Sequence, residues 1–318
     1  MRIGLDIMGG DYAPLETTLG ALEAQKVLLD TARLVLIGDE IAARKIITDA
    51  GGDVALFDFV HSTEVIEMHE HPAKAFQQKQ KSSISIGFFL LKEGKLDAFC
   101  SAGNTGAMLV GSMFSVKAIP GISRPAISTL VPKENGGIGL LLDVGVNADC
   151  KPENLQQFAI LGSLYAEHVL HIPNPKVALM SIGEEDEKGN ILTKESNQLL
   201  RATKGINFVG NIEGRDLFND KADVVVCDGF TGNIVLKLAE SFYSLLLKRK
   251  IRDDYFDKFN FESHGGTPIL GVNAPVMIGH GISNAKAINS MLQLTKDVVE
   301  VQLSQKITTA LSLTPETN

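Results

Sequence analysis

The sequence predicts an α/β protein with a three-layer α/β/α fold and a mostly parallel sheet. Short β-rich runs alternate with longer helical patterns along the chain, and this alternation is typical of βαβ units. Some of the short runs are wholly apolar, such as the run from Gly139 to Leu142. A strand without polar residues is usually covered on both faces, as the strands of a parallel sheet are.

The individual elements follow from this patterning. Strands are predicted over residues 2–7, 34–37, 54–59, 98–101, 138–144, 176–181, 207–210 and 223–227. Helices are predicted over residues 15–29, 41–50, 83–93, 153–169, 195–204, 234–250 and 283–306. Pro120, Pro125 and Pro132 cluster in mid-chain, and residues 133–137 are predicted to form a turn between strands.

No low-complexity linker marks a domain boundary. We therefore expect residues 1–318 to form a single α/β catalytic unit, either in one piece or as two lobes around a central cleft. Residues 313–318 are expected to be a flexible tail.

The composition excludes several classes of protein. A net charge of -8 argues against a general nucleic-acid binder, and 6% aromatic residues without tryptophan leave little for base stacking. The apolar runs are too short for a membrane-spanning helix. Cys100, Cys150 and Cys227 are far apart and form no C-x-x-C pair, which suits reduced thiols. These features predict a cytoplasmic protein, with peripheral membrane association left open.

A Gly/Thr/Gly loop that occurs twice is the most informative motif. The first loop, residues 101–106 (S-A-G-N-T-G), and the second loop, residues 228–233 (D-G-F-T-G-N), each follow an apolar run. Helix-like segments follow them at 107–116 and 234–247. Free N–H groups at a helix start attract anions, glycine permits close approach, and threonine adds a hydroxyl. The pattern predicts a site for phosphate or a carbonyl oxygen, and two tight turns without a ligand remain the alternative.

Further polar, glycine-rich loops follow other predicted strands, at residues 8–11, 143–147, 183–186 and 210–216. In open α/β sheets the ligand crevice lies at the carboxyl ends of the strands, so these loops predict one wall of a pocket. The sequence contains no P-loop motif, no dinucleotide fingerprint after a strand and no G-x-S-x-G elbow. The segment from His69 to His71 is interpreted as an exposed polar turn, and no metal or cofactor is predicted.

Three side chains in these regions are candidates for chemistry. Lys188 lies in an acidic loop, residues 184–190, which is either a solvated loop or a place where a cation meets an anionic substrate. Arg215 is a second cation, whose alternative is a structural ion pair with Glu213 or Asp216. His280 lies between two glycines and is either an acid/base group or part of a buried turn.

A basic cluster ends the predicted helix 234–250. It consists of Lys248, Arg249, Lys250 and Arg252. Cations at a helix C-terminus complement the helix dipole, which is one explanation. The other is a docking patch for an acidic partner or an anionic lipid.

Together, these motifs resemble the phosphate acyltransferases of bacterial phospholipid synthesis, the PlsX family. The matching segments are residues 5–11, 101–107, 142–147, 182–185 with 188–189, 210–216 and 227–233, in the family's order. The resemblance implies transfer of a long-chain acyl group from an acyl-carrier-protein thioester to inorganic phosphate, without a cofactor. The acyl phosphate would serve a membrane glycerol-3-phosphate acyltransferase. The resemblance also implies a homodimer and a fold similar to phosphotransacetylase and isocitrate/isopropylmalate dehydrogenase.

Two departures from the family pattern stand out. Ile282-Ser283 occupies a place where members often carry Ser-Ser. The segment 248–264 is short, and in the family this region is linked to dimer contacts and membrane attachment.

For that reaction we expect direct attack by phosphate without a covalent acyl-enzyme, because phosphate is itself a nucleophile near neutral pH and a thiolate is a good leaving group. On this hypothesis roles follow for particular residues. The catalytic candidates are Asn104, Lys188, Asn233 and His280. The candidates for binding phosphate or the oxyanion are Gly103, Thr105, Gly106, Asp143, Asn147, Asn211, Arg215, Asp228, Gly229, Thr231 and Gly232. The basic cluster is the candidate surface for the acidic carrier protein. The candidates for the acyl groove are Met108, Val110, Met113 and Phe114 and the apolar face of 234–247, and core packing is the equal alternative for these residues.

Three rival functions stay open at this point. The first is a phosphotransacetylase-like enzyme that uses acyl-CoA. The second is a metal-dependent dehydrogenase in which Asp143, Glu184 and Asp228 hold Mg²⁺. The third is a non-catalytic scaffold that binds a carrier protein or lipid.

Overall fold

The computed structural model describes residues 1–260 and 265–312, which fall into two compact units. The first unit comprises Met1–Ala118 and the described part of Phe261–Glu300. The second unit comprises Ile119–Asn260 and the described part of Val301–Asn318. The predicted tail 313–318 lies outside the described residues, as do residues 261–264 of the short segment.

Eleven strands lie in the described part of the chain. They are β1 Arg2–Asp6, β2 Arg33–Gly38, β3 Phe57–His61, β4 Ala98–Ser101, β5 Ala126–Pro132, β6 Ile138–Leu142, β7 Lys176–Met180, β8 Asn207–Ile212, β9 Val224–Val226, β10 Gly266–Leu270 and β11 Val276–Gly279. The α-helices are α1 Leu15–Leu28, α2 Glu40–Asp49, α3 Pro72–Gln78, α4 Ser83–Lys92, α5 Thr105–Gly111, α6 Pro152–His168, α7 Ile191–Ala202, α8 Gly229–Lys248, α9 Ala285–Glu300 and α10 Leu303–Ser312.

The strands of the first unit lie in the order β3-β2-β1-β4-β11-β10. All neighbours are parallel except β10 and β11, which are antiparallel. Leu5 pairs with Cys100, and Ile278 pairs with Ser101. The carboxyl ends of β1, β4 and β11 therefore meet at one edge of the sheet, where the loops after them come together.

The strands of the second unit lie in the order β5-β6-β9-β7-β8. Only β5 and β6 run antiparallel, and Leu142 pairs with Val226. Helix α6 packs against α7 and buries Phe158, Leu161 and Tyr165 in the core. Because β6 and β9 are parallel neighbours, the loops that follow Leu142 and Val226 lie side by side.

The predicted α/β class with a mostly parallel sheet is confirmed, and the predicted strand 98–101 coincides with β4. The sequence did not predict strands β5, β10 and β11 or helix α3. Proline explains part of this, because Pro132 and Pro268 lie within β5 and β10, and proline argues against a strand. Residues 54–56 form a 3₁₀ turn before β3. The predicted helix 283–306 is interrupted at Gln302, whose φ of 53° separates α9 from α10.

Candidate active site

The two repeated loops are helix starts, as predicted, although the helices begin inside the loops. Asn104 is the N-cap of α5, and its Oδ1 accepts from the Ala107 N–H at 3.0 Å. Helix α5 continues directly into a π-helical turn, Ser112–Val116. Asp228 is the N-cap of α8, so the glycines of the second loop form the first turn of that helix.

The first loop exposes main-chain donors. The N–H groups of Asn104, Thr105 and Gly106 have no hydrogen-bond partner among residues 1–260 and 265–312, while the Gly103 N–H donates to Ser101 Oγ at 2.9 Å. The side chain of Thr105 is exposed. Three adjacent unused donors at a helix start, beside a free hydroxyl, are suited to hold an anion or a carbonyl oxygen.

A buried carboxylate fixes the position of this loop. Asp6 is 1% exposed, and its Oδ2 accepts from Ser101 Oγ at 2.7 Å, while its Oδ1 accepts from the Met8 N–H at 2.9 Å. Ser101 therefore links Asp6 to the Gly103 N–H. A Cβ atom on Gly9 would lie 2.5 Å from Asp6 Oδ2 and 2.6 Å from the Gly103 nitrogen. Burial raises the pKa of Asp6, which the neutral donors around it oppose.

Asn104 holds a neighbouring loop, which differs from its predicted role as a donor to substrate. Its Nδ2 donates to the carbonyl oxygens of Glu67, Met68 and Glu70 at 3.0, 3.2 and 3.1 Å. The residue is 4% exposed. Because its amide hydrogens already have acceptors, the unused donors here belong to the main chain.

Most main-chain donors of the second loop have protein partners. The Gly229 N–H donates to Asn147 O at 2.7 Å, and Gly232 N–H donates to Asp228 O at 3.0 Å. Thr231 donates to Asp228 through both its N–H and its hydroxyl, each at 2.8 Å. Among the described residues, the Phe230 N–H is the donor of this turn without a partner. The side chain of Asn233 is exposed.

Asp143 and Asn147 hold the second loop in place through hydrogen bonds. Asp143 is fully buried, its Oδ1 accepts from the Ile127 N–H, and its Oδ2 accepts from the main-chain and side-chain nitrogens of Asn147. Asn147 also donates to Pro125 O at 2.8 Å. Burial raises the pKa of Asp143. Both side chains are committed to protein partners, which differs from their predicted contact with phosphate.

Arg215 lies in an acidic environment that disfavours phosphate. Its guanidinium pairs with Glu213 at 3.0 Å and with Glu184 at 3.8 Å. A shallow depression of about 380 Å³ is lined by Glu184, Glu185, Glu213 and Arg215. Lys221 also pairs with Glu184, at 2.7 Å, so Arg215 belongs to a network of ion pairs. The ion-pair alternative therefore describes Arg215 better than phosphate binding does.

Lys188 and Asn211 belong to the same region of the second unit. Lys188 is exposed and forms no ion pair with a described residue. Asn211 is buried, donates to Glu185 O at 2.9 Å and accepts from Asn197 Nδ2 at 2.8 Å. Asn211 thus holds the loop that carries Lys188 with one of its two amide hydrogens.

His280 lies beside the first loop. It follows β11, whose Ile278 is paired with Ser101, and it is half-buried. The His280 carbonyl accepts from the Ser283 N–H at 3.0 Å, and the Gly281 carbonyl accepts from the Asp11 N–H at 2.7 Å. The structure therefore brings His280 and residues 103–106 to the same edge of the first sheet.

The thiols are poor candidates for a nucleophile. Burial raises the pKa of Cys100 to about 12 and that of Cys150 to about 11, and burial also raises the pKa of Cys227 well above its usual value. A thiol is reactive as the thiolate, which is scarce at neutral pH for such groups. Within the described ranges, no group of three or more His, Cys, Asp or Glu side chains is arranged to hold a metal ion.

The basic cluster lies at the end of α8. Lys248 is the last helical residue, and Lys248, Arg249 and Lys250 are exposed. Arg252 pairs with Asp257 at 3.4 Å. None of the described helices is sufficiently long and apolar to cross a bilayer.

The fold is that of the phosphotransacetylases. A solved phosphotransacetylase from Streptococcus pyogenes is similar with a TM-score of 0.68 at 17% identity, and the match covers 94% of each chain. The EutD phosphotransacetylase from Staphylococcus aureus matches with a TM-score of 0.64 at 16% identity, again over 94% of each chain. At such identities the likeness defines the architecture and nothing further.

Sequence similarity defines the family. The family model described as fatty acid synthesis protein matches residues 1–306. A phosphate acyltransferase from Dictyoglomus thermophilum is 46% identical over 98% of both chains, and one from Desulforamulus reducens is 44% identical over 98% of this chain and 97% of its own. The chain therefore belongs to the family of the phosphate acyltransferases, which are transferases. This confirms the family resemblance that the motifs predict.

Proposed function

We propose that the protein transfers a long-chain acyl group from an acyl-carrier-protein thioester to inorganic phosphate. The products are an acyl phosphate, a substrate for a membrane glycerol-3-phosphate acyltransferase, and the free carrier thiol. One observation carries the proposal within this family. Three adjacent main-chain donors, at residues 104–106, have no partner in the described part of the chain and lie at a helix start, next to Gly103, which the buried Asp6 holds through Ser101.

The chemistry requires positioning more than a protein nucleophile. A phosphate oxygen attacks the thioester carbonyl carbon, the new carbon–oxygen bond forms, and the carbon–sulfur bond breaks as the thiolate leaves and takes up a proton. Main-chain N–H groups directed at the developing oxyanion or at phosphate stabilise this step. The raised pKa values of Cys100 and Cys150 support a direct displacement without an acyl-enzyme.

Three side chains are proposed to assist. Lys188 and Asn233 are exposed, and His280 is partly accessible beside the first loop. We assign charge neutralisation to Lys188, donation to the oxyanion to Asn233, and protonation of the leaving sulfur to His280. Loss of a donor to an oxyanion costs about 10²- to 10³-fold in rate, so near-normal turnover of Asn233→Ala would remove that residue from the mechanism.

Thiol release from palmitoyl-acyl-carrier protein, with and without inorganic phosphate, tests the function. We expect release that requires phosphate and exceeds release from palmitoyl-CoA under the same conditions. Equal or faster release from palmitoyl-CoA would favour the phosphotransacetylase-like alternative. No phosphate-dependent release from either thioester, by protein with an intact circular-dichroism spectrum, would reject an acyltransferase function.

The basic cluster is proposed to bind the acidic carrier protein. Lys248, Arg249 and Lys250 are exposed, and they form no ion pair with another described residue. The protein has a net charge of -8, but this local cluster of positive charge attracts an acidic partner. Salt screens the attraction and weakens it.

Reversing two of these charges is expected to weaken carrier binding. We expect Lys248→Glu/Arg249→Glu to raise the Kd for the carrier protein about 10-fold at low ionic strength, and less at high ionic strength. The KM for phosphate should not change. Lys194→Glu/Lys204→Glu makes the same change in net charge at exposed lysines elsewhere in the second unit and is the control. Equal effects of the two double variants would show that only net charge matters.

An apolar stripe on α8 is proposed as the homodimer face. The stripe consists of Phe230, Ile234, Leu238, Phe242 and Leu245, which recur at helical spacing and are each at least 50% exposed. Only Gly229 and Gly232 of this helix are buried. Exposed apolar surface of this extent marks an interaction site, and a second copy of the chain would present the same stripe.

Sedimentation velocity distinguishes the possible partners of the stripe. We expect a dimer for the unaltered chain and a monomer for Leu238→Asp/Phe242→Asp, because burying two carboxylates in an apolar interface is unfavourable. Ser244→Asp, on an exposed part of the same helix outside the stripe, should remain dimeric. A monomeric unaltered chain that binds anionic vesicles through Leu238 and Phe242 would instead assign the stripe to peripheral membrane association.

A further inference from the structure

Three exposed apolar side chains lie on segments that meet near the first loop. Tyr12 is 52% exposed, Met68 is 44% exposed and Ile282 is 49% exposed. They come from three separate segments of the first unit, which follow β1, β3 and β11. Large apolar side chains that gather on a surface, from segments distant in sequence, indicate a contact surface rather than isolated exposure.

Main-chain contacts bring these three residues together. The Asp11 N–H donates to Gly281 O at 2.7 Å, which places Tyr12 and Ile282 next to the same hydrogen bond. The Met68 side chain covers Gly281, since a Cβ atom on that glycine would lie 2.9 Å from Met68 Cε. The segments of Tyr12, Met68 and Ile282 therefore meet at Gly281, and we name these three side chains the apolar rim.

The apolar rim adjoins the unused donors. Asn104, whose own N–H is one of them, donates from its side chain to Met68 O at 3.2 Å. The loop with Met68 is also fixed from its other side, because Glu70 pairs with Lys79 at 2.6 Å and accepts from the Glu67 N–H at 2.7 Å. The rim is thus held beside the donors by several bonds on either side of Met68.

The proposed reaction requires an apolar surface next to the donors that bind the thioester carbonyl. In a thioester the carbonyl carbon carries the alkyl chain directly, so donors that bind the carbonyl oxygen place the chain within a few bonds of themselves. The local charge favours the chain over phosphate at the rim, because Asp11 Oδ1 would lie 3.8 Å from a Cβ atom on Gly281. An apolar surface with a carboxylate beside it binds an uncharged chain and repels an anion.

We propose that the apolar rim binds the acyl chain of the thioester and sets the preference for long chains. This inference rests on the proposed function, and it assigns the chain to Tyr12, Met68 and Ile282 rather than to the predicted groove at Met108, Val110, Met113 and Phe114. Met108 is fully buried in the core, while Met113 is 38% and Phe114 is 74% exposed, so of the predicted groove only these last two present a large exposed side chain. Each methylene that the rim covers contributes to affinity through removal of apolar area from water.

The test compares Met68→Ser/Ile282→Ser with the unaltered chain. Both side chains are about half exposed and Asn104 holds the Met68 main chain, so we expect the variant to fold, which its circular-dichroism spectrum checks. We expect kcat/KM for palmitoyl-acyl-carrier protein to fall about 10-fold and that for butyryl-acyl-carrier protein to fall less than about 2-fold. The KM for phosphate should stay constant. Ile41→Ser, at an isoleucine 79% exposed on α2, is the matched control.

A binding measurement keeps this proposal separate from the proposed function. The fluorescent fatty acid cis-parinaric acid serves as the probe, and we expect its Kd to rise about 5-fold or more in Met68→Ser/Ile282→Ser and not in Ile41→Ser. An unchanged chain-length preference, or equal probe binding by all three proteins, would overturn the acyl-chain assignment. Absence of phosphate-dependent turnover in the unaltered chain would refute the proposed function alone, and the probe would still decide whether the rim binds a long chain.

Discussion

Alanine at Gly232 is expected to destabilise the second unit by about 3 kcal/mol or more. Gly232 lies in the first turn of α8, and a Cβ atom there would overlap the main-chain carbonyl oxygen of Asp143 and lie 3.1 Å from Cys227 Sγ. The carbonyl belongs to a buried residue whose side chain accepts three hydrogen bonds. Because neither the strand end nor the helix start is free to shift, the overlap is not relieved by a side-chain rotation.

The experiment is urea denaturation followed by circular dichroism, with Gly214→Ala as the control. Gly214 is exposed, and a Cβ atom on it meets nothing within 4 Å. We expect the control to change the free energy of unfolding by less than about 0.5 kcal/mol. If Gly232→Ala and Gly214→Ala have the same free energy of unfolding, the second loop does not pack closely on Asp143.

The sequence predicted the repeated loops well because their signal is local. An apolar run, a glycine-rich turn and a helical pattern are each readable over a few residues, and the structure has β4 before α5 and β9 before α8. The sequence did not predict that Gly106, Gly229 and Gly232 belong to the helices. A helix begins where a capping side chain accepts from a main-chain N–H group, here Ala107 for Asn104 and Thr231 for Asp228. The sequence alone does not show which N–H group each side chain accepts from.

The direction of polar side chains was the harder part. Asn104, Asn147 and Asn211 were expected to face a ligand, and each donates instead to main-chain carbonyl oxygens of distant segments. An asparagine that serves a loop and one that serves a substrate look the same in a sequence, since both follow a strand. The acceptors that decide the matter lie more than 20 residues away.

Asp6 and Ser101 were missed as the support of the first loop. A signal for Asp6 exists in the chain, because a Leu-Asp pair lies near the end of two predicted strands, at Leu5-Asp6 in 2–7 and at Leu142-Asp143 in 138–144. Both carboxylates are buried, and both accept from N–H groups that follow them in sequence. A buried acid without a cation is costly unless several donors surround it, so such a repeated pair indicates a structural requirement.

Aspartate at position 104 is expected to reduce phosphate-dependent turnover about 10²-fold, although it keeps the helix cap. An aspartate oxygen accepts from the Ala107 N–H as Asn104 Oδ1 does. Its other oxygen would face the carbonyl oxygens of Glu67, Met68 and Glu70, where the asparagine donates now. Repulsion among these oxygens should release the loop at 67–70 and shift the donors at 104–106, and a displacement of about 1 Å in such a site costs about 10²-fold.

Hydrogen exchange and turnover measured together separate the cap from the loop contact. In Asn104→Asp we expect faster exchange at residues 67–70 with little change in α5, alongside the lower kcat/KM. Asn190→Asp is the matched control, because Asn190 caps α7 by accepting from the Thr193 N–H at 2.8 Å and its amide nitrogen donates to no other described residue. The control should leave turnover and exchange near 67–70 unchanged. Turnover of Asn104→Asp within about 3-fold of the unaltered chain, with slow exchange at 67–70, would mean that the donors at 104–106 do not depend on this contact.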